Sequence, residues 1–98
     1  MEYVKINHPV ATVAVTGQFK VSIARAVQSE IMSALSDNGC TKVVVDFSST
    51  TFIDSSIQGL LIGVRRKIGA ENFSAKGAKG TVLSALKAAR LDEWLQDN

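Results

Sequence analysis

Cysteine, histidine, proline, tryptophan and tyrosine each occur once in these 98 residues, and each scarcity excludes something. With Cys40 alone, the chain can form neither an internal disulfide nor a cysteine-based metal cluster. Cys40 is expected to be a small buried hydrophobe just before a strand; the alternative is a redox role. With His8 alone, in the turn Asn7-His8-Pro9, a nucleophilic serine has no histidine near it in sequence to act as base. There is no Gly-x-Ser-x-Gly elbow. Gly77-Ala78-Lys79-Gly80-Thr81 has the wrong order and spacing for a phosphate loop. No enzyme and no cofactor are therefore expected. No apolar run approaches the roughly 20 residues needed to span a bilayer. Met1-Glu2-Tyr3-Val4-Lys5 lacks the basic and apolar pattern of a signal peptide. A cytoplasmic protein without direct membrane insertion follows as the expectation. The formal net charge of +2 is too weak to point to nucleic acid.

The chain has enough hydrophobic residues, 46%, for one small core, and its length suits one domain, residues 1–98. Tyr3-Val4-Lys5-Ile6 reads as a strand, the following Asn-His-Pro as a turn, and Val10–Thr16 as a second strand ended by Gly17. Ser22–Asn38 reads as a helix capped by Ser22, with Ile23, Val27, Ile31 and Leu35 on one stripe and Asn38-Gly39 as the stop. Lys42–Phe47 is the clearest strand. Its three successive valines predict burial on both faces. Ser48–Ile53 reads as a connection with Phe52 and Ile53 packed beneath it. A second helix runs from Asp54-Ser55-Ser56 to Ile68, with Ile57, Leu60, Leu61, Val64 and Ile68 inward and Gly69 after its end. Phe73–Lys76 reads as a short strand, and Thr81 as the cap of a last helix with Val82, Leu83, Leu86 and Ala89 inward. Leu91, Trp94 and Leu95 continue the apolar pattern, Trp94 as the plug of the core. This alternation predicts an α/β fold, a mixed β-sheet of about four strands with the helices packed mainly on one face.

Two features of the second helix bear on function. Asp54-Ser55-Ser56 stands at its start, where short polar side chains can cap the free N–H groups. The same helix end has room for an anion, so a phosphate on Ser55 would be tolerated there. On the residues alone, both readings stand. Gly59, Ile62, Gly63 and Arg66 share a face beside the apolar stripe. Two helical glycines cost about 1 kcal/mol each relative to alanine. Either close packing against another element or a docking surface would account for them. From Leu60 to Arg90 there are seven basic residues and one acid, Glu71, which reads as a solvated face or as a surface for an acidic partner. Asp92, Glu93 and Asp97 follow.

The run VVVDFSSTTFIDSSIQGLLIGVRRKIG, Val43 to Gly69, resembles the central motif of STAS domains, the anti-sigma factor antagonists and their relatives. Thr16-Gly17, the first helix and the closing VLSALKAARLDEWL extend the likeness over nearly the whole chain. The resemblance implies that Ser55, directly after the motif aspartate Asp54, is phosphorylated by a partner serine kinase that is also the anti-sigma factor, a histidine-kinase-like ATPase. It implies that the unmodified chain binds this kinase and releases its client, and that a serine phosphatase resets the modified form. Partner contacts are then expected at Lys20, Asp54, Ser56, Ile57, Gly59 and Ile62. Ile57 stands where the family usually has glycine. Lys20 stands near where it commonly has an acid. An alternative that the resemblance also allows is a constitutive accessory subunit of a membrane transport complex.

Overall fold

A computed structural model describes residues 1–95. Strands β1 (Val4–Asn7) and β2 (Val10–Ala14) form the expected antiparallel hairpin, with Val4 opposite Val13. Gly17–Phe19 is a short strand β3, and helix α1 spans Val21–Ser36. Strand β4 (Lys42–Asp46) lies parallel to β2, and strand β6 (Phe73–Lys76) lies parallel to β4. Between them come β5 (Thr50–Ile53) and helix α2 (Ser55–Ile68). Helix α3 (Gly80–Ala88) follows β6. The main sheet has the order β1-β2-β4-β6, and β3 and β5 make a separate parallel pair.

This order explains why the helices share a face. The crossovers β2–α1–β4 and β4–α2–β6 step across the sheet in the same direction. With the usual right-handed connection, both place their helix on the same side. Val4, Ala11, Val13, Val43, Val45, Phe73 and Ala75 point that way and are buried. Their alternates Lys5, Thr12, Ala14, Val44, Asp46 and Ser74 lie on the other face, half-buried or exposed. The two-sided burial expected from Val43-Val44-Val45 is therefore wrong for Val44. A strand covered on one face alternates, and β-branching alone filled the third position.

The Ser48–Ile53 segment is not a plain connection. Thr50–Ile53 forms β5 beside β3, with Gln18 paired to Phe52 and Phe19 to Ile53. Ile53 packs inward as expected, but Phe52 is exposed. The buried hydroxyl of Thr50 donates to the Val15 carbonyl at 2.7 Å and fixes this small sheet to the end of β2. The first helix starts at Val21 and ends at Ser36, without a side-chain cap from Ser22. Gly39, with φ of 67°, still supplies the left-handed turn beyond its end. Thr81 does not cap α3 either. Its hydroxyl donates to the Thr51 carbonyl at 2.6 Å, tying α3 to β5.

The core lies between the sheet and the helices. Val27, Ile31 and Ala34 of α1, Ile57, Leu61 and Val64 of α2, and Val82 and Leu86 of α3 fill it. Each fully buried branched side chain contributes about 1.5–3 kcal/mol. Cys40 is buried among them, as a hydrophobe would be. Trp94 closes one end against Phe73, edge to face with ring centroids 5.0 Å apart. Glu30 fastens α1 to the hairpin. Its Oε1 accepts from the N–H groups of Tyr3 at 2.7 Å and Val4 at 3.0 Å, so it covers the open edge of β1. Asp97 lies outside the described residues.

Candidate functional site

Asp54 follows β5 in an extended conformation as the N-cap residue of α2. Its Oδ1 accepts from the Ile57 N–H at 3.0 Å, an N-cap bond across three residues. Its Oδ2 accepts from the N–H of Val21 at 2.9 Å, the first residue of α1. One carboxylate therefore caps two helices, which explains how α1 begins at Lys20-Val21 with no cap of its own. Asp54 is half-buried and its two oxygens are both engaged within the fold.

That arrangement separates the two readings of Asp54-Ser55-Ser56. The capping is done by Asp54. Ser55 and Ser56 are exposed, and their hydroxyls make no hydrogen bond among the described residues. Ser55 is the first residue of α2, where the amide N–H groups are free and the dipole is positive outward. A phosphoryl group there would meet the positive end of the helix beside the like charge of Asp54, and would displace nothing that the fold uses.

The face of α2 that continues from Ser55 is open. Gly59 and Gly63 are exposed, and a Cβ built on either would meet nothing within 4 Å. Close packing against another element, one of the two explanations for these glycines, is thus excluded. Ile62, beside them, is half-buried, and Arg66 is exposed. Lys20 is exposed at the start of α1, one residue from the N–H that Asp54 holds. Ile57 is not part of this surface. It is fully buried in the core, so a partner on this face cannot touch it. The stripe Ile57, Leu61, Val64 accounts for it: the site that resembles a partner contact in sequence is a core position one turn in.

Other chemistry lies elsewhere. His8 stands at the opposite end of the sheet from Asp54. Its neighbour Pro9 accepts from Thr41 and Lys42 where β4 begins, whereas Asp54 follows β5, which starts beside Val15 past the far end of β2. A cavity of about 450 Å³ lies over β1 and β2 on the uncovered face, lined by Tyr3, Lys5, Thr12, Ala14 and Asp46 among others, and it does not include the start of α2. Asp46 accepts from the Ser48 N–H at 3.0 Å. That bond, the Ser48 side chain and nearby Lys76 outweigh desolvation and hold the Asp46 carboxyl below its ordinary value. Among the described residues no three histidine, cysteine, aspartate or glutamate side chains gather as a metal site. No helix among them is long and apolar enough to cross a membrane. The Val21 bond and the exposure of Phe52 beside the site were not read from sequence; both depend on the β3–β5 pairing.

The family model described as Mlab, STAS domain matches residues 4–97 of this chain. The chain belongs to the STAS domain family. Solved structures agree with the fold. The domain is similar to the anti-sigma factor antagonist SpoIIAA in its unphosphorylated form, with TM-score 0.83 and 19% identity over 97% of this chain and 85% of that one. It is similar to SpoIIAA from Bacillus in the phosphorylated form, with TM-score 0.74 and 18% identity over 97% and 88% of the two chains. It resembles an anti-sigma factor antagonist from Mycobacterium paratuberculosis, with TM-score 0.80 and 22% identity over 97% and 83%. A sulfate transporter family protein from Wolinella succinogenes is similar at TM-score 0.70 and 11% identity over 93% and 79%. Comparison with curated proteins returns no match. STAS domains are in general regulatory binding modules rather than catalysts, and the antagonist structures share the fold of this domain.

Proposed function

We propose that this STAS domain is a phospho-regulated protein-binding switch acting in the cytoplasm, where ATP is available. Unmodified, it binds a serine kinase that is also an anti-sigma factor, of the histidine-kinase-like ATPase class, and frees the client that kinase holds. The kinase then transfers the γ-phosphoryl group of ATP to Ser55 Oγ. ADP leaves, the hydroxyl proton passes to a kinase base, and the complex separates. A serine phosphatase returns Ser55 to the hydroxyl. The domain binds and is modified; it catalyses nothing itself.

The observation that carries this reading is the spare hydroxyl of Ser55 beside a cap that Asp54 already completes. Phosphorylation would add close to two negative charges without removing a bond of the fold. A partner seated over α2 would then have to desolvate an unpaired dianion, at a cost of several kcal/mol. At about 1.4 kcal/mol per decade, that is orders of magnitude in affinity. Lys20, Ser56, Gly59 and Ile62 frame Ser55 and supply contacts, and Asp54 contributes by holding the frame. SpoIIAA has this fold in both its phosphorylated and unphosphorylated forms, which supports a modification that leaves the fold standing.

Mass spectrometry of the protein from its own cells tests the switch. A species about 80 Da heavier, mapped to Ser55 and lost in Ser55→Ala, is expected under some growth conditions. Its absence under all of them would return Ser55 to an idle surface residue. The description of the matching family and the likeness to a sulfate transporter family protein favour a second reading, a constitutive subunit of a membrane transport complex. Co-purification with a membrane ATPase that Ser55→Ala leaves unchanged is the outcome that reading expects.

A further inference from the structure

Among the described residues, three large apolar side chains remain exposed: Met1, Val21 and Phe52. Single exposed apolar residues are ordinary. Here two of the three, from different elements, lie next to Asp54. Phe52, 43% exposed, sits in β5 two residues before Asp54. Val21, 63% exposed, opens α1, and its N–H is held by Asp54 itself. Both are thus tied to Asp54, the residue before Ser55.

The exposed charged residues near this pair are cations. Lys20 precedes the first turn of α1, and Arg25 lies one turn on from Val21 along the same helix; both are exposed. Lys79 precedes the first turn of α3, which Thr81 fastens to Thr51 next to Phe52, and it too is exposed. The carboxylate at the centre, Asp54, spends both oxygens on backbone N–H groups. Asp46, at the neighbouring end of β4, is committed to Ser48 and lies near Lys76. Among the described residues Lys20, Arg25 and Lys79 make no ion pair, so this region presents exposed apolar side chains with unanswered cations beside them, which asks for a partner of the complementary kind.

We infer that the protein partner docks here by seating Phe52 and Val21 in an apolar socket whose rim carries aspartate or glutamate side chains opposite Lys20, Arg25 and Lys79. This deepens the proposed function and rests on it for the existence of a partner. It also gives the switch a physical cause. A phosphoryl group on Ser55 would lie near these cations, neutralise them, and face the carboxylates of the partner with like charge. Buried aromatic anchors commonly carry most of the energy of such contacts, so Phe52 is the central one.

A benzophenone amino acid placed at position 52 or 21 of the full chain, in its own cells and on a Ser55→Ala background, reads the contact directly. A third probe at position 5, on the uncovered sheet face, is the control. The same protein is expected from positions 52 and 21 and not from 5, with the cross-linked peptide rich in aspartate or glutamate around apolar residues. With that protein purified, the double variant Lys20→Glu, Lys79→Glu and the single variant Phe52→Ser should each weaken Kd by tenfold or more, and added salt should weaken it further. Capture at position 5 alone, capture at none of them, or a Kd that stays within twofold in both variants overturns the surface. Because Ser55→Ala cannot be phosphorylated, the docking is read apart from the switch. A partner that needs Phe52 yet binds the Ser55-phosphorylated chain equally well would sink the switch and keep the surface. A partner released by phosphorylation but captured only at position 5 would do the reverse.

Discussion

The starts of α2 and α3 look alike in sequence, each with small hydroxyl-bearing residues before an apolar stripe, yet they spend those hydroxyls differently. At α3, Thr81 is consumed by the fold: it donates to the Thr51 carbonyl at 2.6 Å and joins the helix to β5. At α2, Asp54 does the joining, to both α1 and α2, and leaves Ser55 and Ser56 free. A polar side chain that the fold does not use, placed next to one that makes the fold's bonds, is where a regulatory modification costs least.

Removing the shared cap should have the largest effect on stability. Asp54→Ala leaves the α2 N-terminus and the Val21 N–H without their acceptor and is expected to cost about 2 kcal/mol in urea unfolding. Loss below about 0.5 kcal/mol would mean the carboxylate does not hold the two helices together. Next comes the difference between the two starts. Thr81→Val should cost about 1 kcal/mol, whereas Ser55→Ala and Ser56→Ala should stay within about 0.5 kcal/mol of the parent. Equal losses in all three would erase the distinction. The open glycines extend it along α2. Gly59→Ala and Gly63→Ala should each raise stability by about 0.5–1 kcal/mol, since alanine meets no neighbour there. If these variants gain stability and lose partner binding, the glycines serve the surface.

Acid gives a smaller, graded effect, and it falls on the sheet side rather than on Ser55. Desolvation works to raise the Glu30 pKa, but the N–H groups of Tyr3, Val4 and Glu2 and the N-terminal charge outweigh it and hold it below its ordinary value. A carboxyl depressed in the folded state stabilises fully above its unfolded pKa of about 4.3 and stops doing so as pH falls through the folded value. Thermal midpoints should therefore decline from about pH 5 downward, more steeply in the parent than in Glu30→Gln, which cannot titrate. Parallel curves for the two would remove Glu30 from the acid response.

Much of this was legible in the residues because the signals were local. The α2 stripe and Gly69 bounded that helix, and the apolar Val10–Thr16 and Lys42–Phe47 runs marked the strands that neighbour each other in the sheet. What escaped was long-range. The β3 and β5 strands are only three and four residues long, too short to show a period, and they exist because they pair with each other. Phe52 looked like core for its size alone. Ser22 and Thr81 are suitable caps by type, but a carboxylate 33 residues from Val21 took the first role and the Thr51 carbonyl took the hydroxyl of the second. Ile57 belonged both to the apolar stripe and to the motif that resembles a partner contact. The stripe decided, because a branched side chain in a closed core cannot also face a partner.

The most direct test of the central claim is to place phosphoserine at position 55 and measure, on the same sample, the thermal midpoint and the Kd for the purified kinase partner. The fold should melt within a few degrees of the unmodified protein, and Kd should weaken about a hundredfold or more, near 2.7 kcal/mol. A Kd within a factor of about three, or a midpoint lowered enough that lost binding reflects lost folding, would contradict the reading of Ser55 as a switch that the fold leaves free.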